Sequence, residues 1–205
     1  MCFIISASED KDVRIWDAQT GAMLRVLSGH EDEVNRCAVS PDSRYVISAS
    51  ADKTLKVWEV ETGCELQSVE GHTGRVNACA ISGDGTLVSA SSDRTLKVWD
   101  ARSWANRLTL FGHTDVVSGC AISVDGDLIA SASRDNTVRV WDARLGNCLA
   151  ILQTDGMLFD CVWLPDGQHL AAVGAAGVYF LRYVQSRETA AVQQGLESVF
   201  EPSSS

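Results

Sequence analysis

Apolar and polar residues alternate along most of the chain in runs of five or six, and each run ends in turn-forming residues. Between Gly71 and His113 the runs are Val76-Asn77-Ala78-Cys79-Ala80-Ile81, Leu87-Val88-Ser89-Ala90-Ser91 and Thr95-Leu96-Lys97-Val98-Trp99. A period of two bounded by turns predicts β-strands rather than helices. Gly83-Asp84-Gly85 and Asp93-Arg94 predict tight hairpin connections, and Leu108-Thr109-Leu110 predicts a fourth strand ahead of Gly112-His113. Matching turns are predicted at Pro41-Asp42-Ser43, Val124-Asp125-Gly126 and Pro165-Asp166-Gly167.

The pattern recurs at a fixed interval. Trp16, Trp58, Trp99 and Trp141 stand 42, 41 and 42 residues apart and precede Asp17, Glu59, Asp100 and Asp142. Gly29-His30, Gly71-His72 and Gly112-His113 keep the same step, as do Cys37, Cys79, Cys120 and Cys161. Such a period marks a repeat architecture, in which each unit buries its apolar surface against its neighbours. Cys64 and Cys148 lie two steps apart, and no Cys-x-x-Cys pair occurs. The cysteines therefore read as equivalent core positions in successive units, and no metal site is expected.

Each full unit also holds His, Ser, Asp and Trp in constant order. The sets are His30, Ser48, Asp52, Trp58; His72, Ser89, Asp93, Trp99; and His113, Ser131, Asp135, Trp141, with Ser6, Asp10 and Trp16 in a partial first unit. Ser with His and Asp is the inventory of a hydrolase triad. A nucleophile, however, needs one exposed site with an oxyanion hole, which three matching copies a unit apart do not supply. Phosphate-cradling Gly-x-x-x-x-Gly-Lys, His-Glu-x-x-His and Gly-x-Ser-x-Gly motifs are absent from the sequence. His169, outside the repeat register, reads as an exposed loop histidine. The expectation is a non-enzymatic protein without cofactors.

Four in-phase Trp-Asp/Glu pairs and three Gly-His pairs resemble the WD-repeat (tryptophan–aspartate) family over roughly residues 3–182. The resemblance implies an all-β fold, a β-propeller of four-stranded antiparallel blades. It also implies that each set of four forms a buried relay, Trp indole to Ser to His and His to Asp, in which every polar group is satisfied by the next. The function it implies is that of a protein–protein interaction scaffold. Near-identical repeats with a decayed final unit also resemble the C-terminal sensor propellers of larger nucleotide-binding signalling ATPases, which is the alternative reading. A propeller-fold hydrolase is the least supported.

By the same resemblance, two positions per blade line a face near the mouth of the channel. One follows the first Val of the inner strand, at Asn35, Asn77 and Ser118; the other precedes the turn Asp, at Glu9, Ala51, Ser92 and Arg134. That set carries no aromatic anchor of the kind found at hot spots. Arg134 is its one conspicuous member, able to grip a carboxylate or phosphate through two N–H groups. Trp104 is a second candidate, either an exposed aromatic at the rim or a side chain packed over the blade edge.

Counted as units, residues 1–183 make about four and a half repeats. They comprise a partial unit near 1–17, full units at 22–59, 64–100 and 106–142, and a degenerate unit at 147–182. In the last, Thr154 replaces the His, Ala172 the Ser, and Phe180-Leu181 the Trp-Asp pair. An incomplete, truncated propeller is expected, with further repeats upstream in a longer chain, because ring closure is what removes exposed strand edges. Residues 184–205 are expected to be a partly disordered tail, with a short helix over 188–194, a disordered Glu201-Pro202-Ser203-Ser204-Ser205 end, and only Val199-Phe200 suited to a strand.

Composition narrows the partners. With 27 acidic and 17 basic residues the net charge is −10, which repels phosphate backbones and anionic membranes. The most apolar run, Leu170 to Leu181, is interrupted by Gly174 and Gly177 and falls short of the roughly 18 to 20 residues that span a bilayer. The first residues lack a basic segment, and no glycosylation sequon occurs. Other proteins or peptides are the expected partners, and the cytoplasm the expected location.

Overall fold

In the computed structural model, which describes residues 2–184 and 195–198, every regular element is a strand. The first sheet has three: β1 (Phe3–Ala7), β2 (Val13–Asp17) and β3 (Met23–Leu27). The second contains β4 (Val34–Val39), β5 (Tyr45–Ser50), β6 (Leu55–Glu59) and β7 (Glu65–Val69). The third contains β8 (Val76–Ile81), β9 (Thr86–Ser91), β10 (Leu96–Asp100) and β11 (Asn106–Leu110). The fourth is β12 (Val117–Ile122), β13 (Leu128–Ser133), β14 (Thr137–Asp142) and β15 (Cys148–Gln153). The fifth is β16 (Leu158–Trp163), β17 (His169–Gly174), β18 (Gly177–Val184) and β19 (Gly195–Ser198). All pairings are antiparallel and sheet order follows chain order. Among the described residues no strand pairs between the first and fifth sheets, so the five form an arc, an incomplete propeller.

The core lies between sheets. Val13, Ile15 and Leu27 of the first sheet enclose Val34, Val46 and Trp58 of the second. Ile47, Leu55 and Val57 of the second in turn meet Val76, Leu87 and Trp99 of the third. The next two junctions repeat the arrangement. A central strand is thus covered on both faces, which is why all six residues of β9 are buried and why Ser and Ala fill alternate places in it. Cys79, Cys120 and Cys161 are buried in these layers and Cys37 half-buried, whereas Cys64 and Cys148 are exposed. The core reading of those last two is corrected: they stand by the outermost strands, where no neighbouring sheet covers them.

The degenerate unit needs a second correction. Leu170 lies opposite Leu181, as Val46 lies opposite Trp58 and Ile129 opposite Trp141. Leu181, 1% exposed, therefore holds the Trp position, and Phe180, 57% exposed, points away. The shortened Gly174–Gly177 turn shifts the count by one, and in a strand one residue reverses the face. In place of the relay, Trp163 and Tyr183 meet edge to face at 6.4 Å. The tail supplies β19, which pairs with β18 through Leu181↔Ser198 and Val184↔Gly195 and completes the fifth sheet. The expected helix over 188–194, the Val199-Phe200 strand candidates and the Ser-rich end lie outside the described residues.

Candidate functional site

Two sets of residues bear on function, and the first is internal to the blades. In the second sheet, Trp58 Nε1–H donates to Ser48 Oγ at 2.8 Å, and Ser48 Oγ lies 2.7 Å from His30 Nε2. His30 Nδ1 lies 2.7 Å from Asp52 Oδ2. The third sheet repeats the chain through Trp99, Ser89, His72 and Asp93 at 2.8 Å per step. The fourth repeats it through Trp141, Ser131, His113 and Asp135 at 2.9, 2.7 and 2.7 Å.

Charge follows from this geometry. Burial, ahead of the countervailing carboxylates, lowers the pKa of His30 and His113 and keeps both rings neutral. Burial would raise the carboxyls, but hydrogen bonds from Thr54 and His30 hold Asp52 low, and those from His72 and Thr95 hold Asp93 low. Thr137 and His113 likewise outweigh burial and take Asp135 down to about 2. A carboxylate beside a neutral imidazole fixes the tautomer: Nδ1–H donates to Asp, and the serine O–H donates to Nε2. The serine hydroxyl is fully buried and engaged by two ring nitrogens, accepting from the indole and donating to the imidazole.

In the first sheet Trp16 Nε1–H donates to Ser6 Oγ at 2.9 Å, but Asp10 is held by Arg14 at 2.7 and 3.1 Å. In the fifth, Thr154 donates to the Asn136 carbonyl at 2.9 Å instead of taking part in a relay.

The second set lies at the ends of the inner strands. Five of the seven positions expected on the binding face, Asn35, Asn77, Ser92, Ser118 and Arg134, line one concavity of about 550 Å³. Ala51 is 5% exposed and Glu9 lies on the first sheet, so neither contributes. Asn35 and Asn77 donate through Nδ2 to the carbonyls of Val76 and Val117, each at 2.8 Å, and so tie one inner strand to the next. Ser118 is too short for the same bond, and its hydroxyl is buried with no partner among the described residues. Arg75, which pairs with Glu33, together with Val116 and Phe159 completes the wall.

Phe159 was overlooked in the sequence, although its signal was there. Asn35, Asn77, Ser118 and Phe159 keep the 42-, 41- and 41-residue step of the cysteines. It belongs to the degenerate unit, and at 49% exposure it provides the aromatic surface that the other members lack. One residue further along each inner strand come Arg36, Ala78, Gly119 and Asp160. Arg36 Nη1 meets Asp160 Oδ2 at 2.7 Å, joining the second sheet to the fifth past the two small residues. Trp104 is half-buried and packs with Tyr45 and Ile81 in a groove on another part of the surface. Its φ of 58° occupies the turn position where Gly21, Gly63 and Gly146 stand at 70°, 77° and 75°.

The family model described as WD domain, G-beta repeat matches residues 1–17, 21–59, 63–100 and 104–142. Similar proteins include the WD repeat-containing protein AAC3 of Dictyostelium discoideum, 39% identical over 46 residues, which is 22% of this chain and 10% of that protein. THO complex subunit 3 of Arabidopsis thaliana is 44% identical over 45 residues, 22% of this chain and 14% of its own length. The WD repeat and SOCS box-containing protein 1 of Homo sapiens is 51% identical over 41 residues, 20% of this chain and 10% of that protein. The matched stretches thus cover between 10% and 14% of these relatives. With the family's pattern matched across more than half of its residues and its relay built in three successive sheets, this chain belongs to the WD-repeat family.

Proposed function

We propose that the chain is a non-catalytic protein–protein interaction scaffold that binds partners in the concavity beneath Arg134 and Phe159. The observation that carries this reading is the convergence there of residues from four inner-strand ends around a charged and an aromatic side chain. Arg134 has no acidic partner among the described residues, so its guanidinium is free to take a carboxylate with two parallel hydrogen bonds. Phe159 adds apolar area of the sort that anchors a peptide side chain. Support also comes from the relatives: one bears the name of a complex subunit, a member of an assembly. The net charge of −10 argues against nucleic acid.

Selection from a displayed peptide library is expected to return peptides with an acidic residue beside an apolar one. Arg134→Glu is expected to weaken them at least about tenfold, since a charge-assisted pair is replaced by repulsion. Phe159→Ala is expected to weaken them less. Selected peptides that bind Arg134→Glu and Phe159→Ala as well as the parent would place the binding face elsewhere.

A further inference from the structure

Asn35, Asn77, Ser118 and Phe159 are each the extra residue of a β-bulge. Strand pairing skips them, between Val34 and Arg36, Val76 and Ala78, Val117 and Gly119, and Leu158 and Asp160. A bulge re-aims a side chain out of the strand's alternation, and all four residues line the same concavity. The four places are therefore equivalent, but their occupants are not. At two of them a carboxamide bridges to the next sheet: Asn35 Nδ2–H donates to the Val76 carbonyl and Asn77 Nδ2–H to the Val117 carbonyl, each at 2.8 Å. Asn77 also accepts through Oδ1 from the Ser92 hydroxyl at 3.3 Å. The next bridge in the series would run from residue 118 to the Leu158 carbonyl. Ser118 carries no amide, its hydroxyl is buried without a partner, and among the described residues no side chain donates to that carbonyl. One hydroxyl donor and one carbonyl acceptor are thus left at the junction of the fourth and fifth sheets, beside Arg134 and Phe159.

We propose that this junction is a specificity subsite for a side-chain carboxamide, an Asn or Gln of the partner peptide; the inference rests on the concavity being the binding face. The partner's amide takes the place that the chain's own asparagines fill at the two preceding junctions. Its NH2 donates to the Leu158 carbonyl, and its oxygen accepts from the Ser118 hydroxyl. A carboxamide carries a donor and an acceptor on one carbon, and Asn77 uses both at once. A carboxylate has no donor for the carbonyl, an ammonium no acceptor for the hydroxyl, and an apolar group leaves both unpaired. Such a site rejects the wrong ligand through its own unpaired groups. The carbonyl can be reached from the concave surface: Asn35 is exposed and Asn77 half-buried, yet their amides meet the carbonyls of the fully buried Val76 and Val117. Arg134 holds in the fourth sheet the place of Ser92 in the third, ahead of the turn aspartate. An acidic residue gripped by Arg134 therefore lies next to the carboxamide, and the recognised peptide combines an acid, an apolar residue and an amide.

The test is a displayed peptide library with Glu-Leu fixed and random residues on either side, selected on the full chain and on its Ser118→Asn variant. Asn or Gln is expected to be enriched at one random position on the parent chain and not on the variant, which fills the place with a carboxamide of its own. In a fluorescein-labelled selected peptide, exchanging that residue for its apolar isostere, Gln→Met or Asn→Leu, is expected to weaken binding to the parent chain at least about fivefold by anisotropy. Ser118→Asn is also expected to raise the thermal midpoint by about 3 °C, because it adds the bond that Asn35 and Asn77 make. Selected peptides that depend on Arg134 but show no preference for Asn or Gln would overturn the subsite alone. So would a preference that survives Ser118→Asn, or a midpoint that does not rise in that variant. A library that yields no Arg134-dependent peptide would overturn the binding face itself, and the subsite with it.

Discussion

At the residue scale, Ser89 joins two ring systems: it accepts from Trp99 and donates to His72 while fully buried. Its removal leaves an indole N–H and an imidazole nitrogen without partners inside the blade. Ser89→Ala is therefore expected to cost about 2 kcal/mol. Ser6→Ala breaks only the bond to the half-exposed Trp16, where water can replace it, and is expected to cost under about 1 kcal/mol. Equilibrium urea unfolding of the two variants measures the difference, and equal losses would show that burial does not set the cost. The membership of these sets was legible from the repeat alone, because His, Ser, Asp and Trp recur in one phase. Phe159 was harder to see, because it follows Leu158 rather than a valine, in a unit that has lost the His, Ser and Trp markers and keeps the phase through Cys161.

At the scale of the element, the glycine ahead of each relay histidine faces the tryptophan ring of the same relay, most tightly at Gly71. Gly71 has a φ of 151°, and a Cβ there would lie 2.9 Å from Trp99 Cη2. The ring is fixed by its bond to Ser89 and cannot step aside. Gly71→Ala is expected to cost about 2 kcal/mol through crowding and backbone strain, read as a drop in the thermal midpoint. An unchanged midpoint would mean that the Trp99 ring moves freely. The strands themselves were plain from the period of two. The register of β18 and the presence of β19 were not. Phe180 and Leu181 are both apolar, so pattern does not choose between them, and Gly195–Ser198 has little strand propensity of its own. Main-chain bonds offered by the edge of β18 place that segment.

For the whole molecule, the relays act together and make stability fall with pH in two stages. His30 and His113 are lowered below the ordinary histidine value of 6.5. As pH drops through that value the unfolded chain takes up protons that the folded one refuses, and stability declines. Asp52, Asp93 and Asp135 are lowered from the ordinary value of 3.8. Their contribution is present above that value and is lost as pH falls from about 4 toward 2, where the unfolded chain again binds more protons. Urea midpoints at pH 7, 5 and 3 are expected to decrease in that order. A midpoint that holds constant from pH 7 to 5 would mean that the histidines are not kept neutral by burial.

What the sequence determined by itself was the unit: strand, turn, strand, turn at a constant step, with the polar residues that each blade must satisfy internally. These are local and repetitive, so a linear pattern records them. What only the tertiary structure decided was everything that depends on how units meet. The pairing of Arg36 with Asp160 joins sheets 124 positions apart, across Ala78 and Gly119. The gathering of Asn35, Ser92, Arg134 and Phe159 around one hollow, and the exclusion of Ala51 from it, follow from the curvature of the arc. Curvature comes from how side chains fill the layers between sheets, and no single strand carries that information.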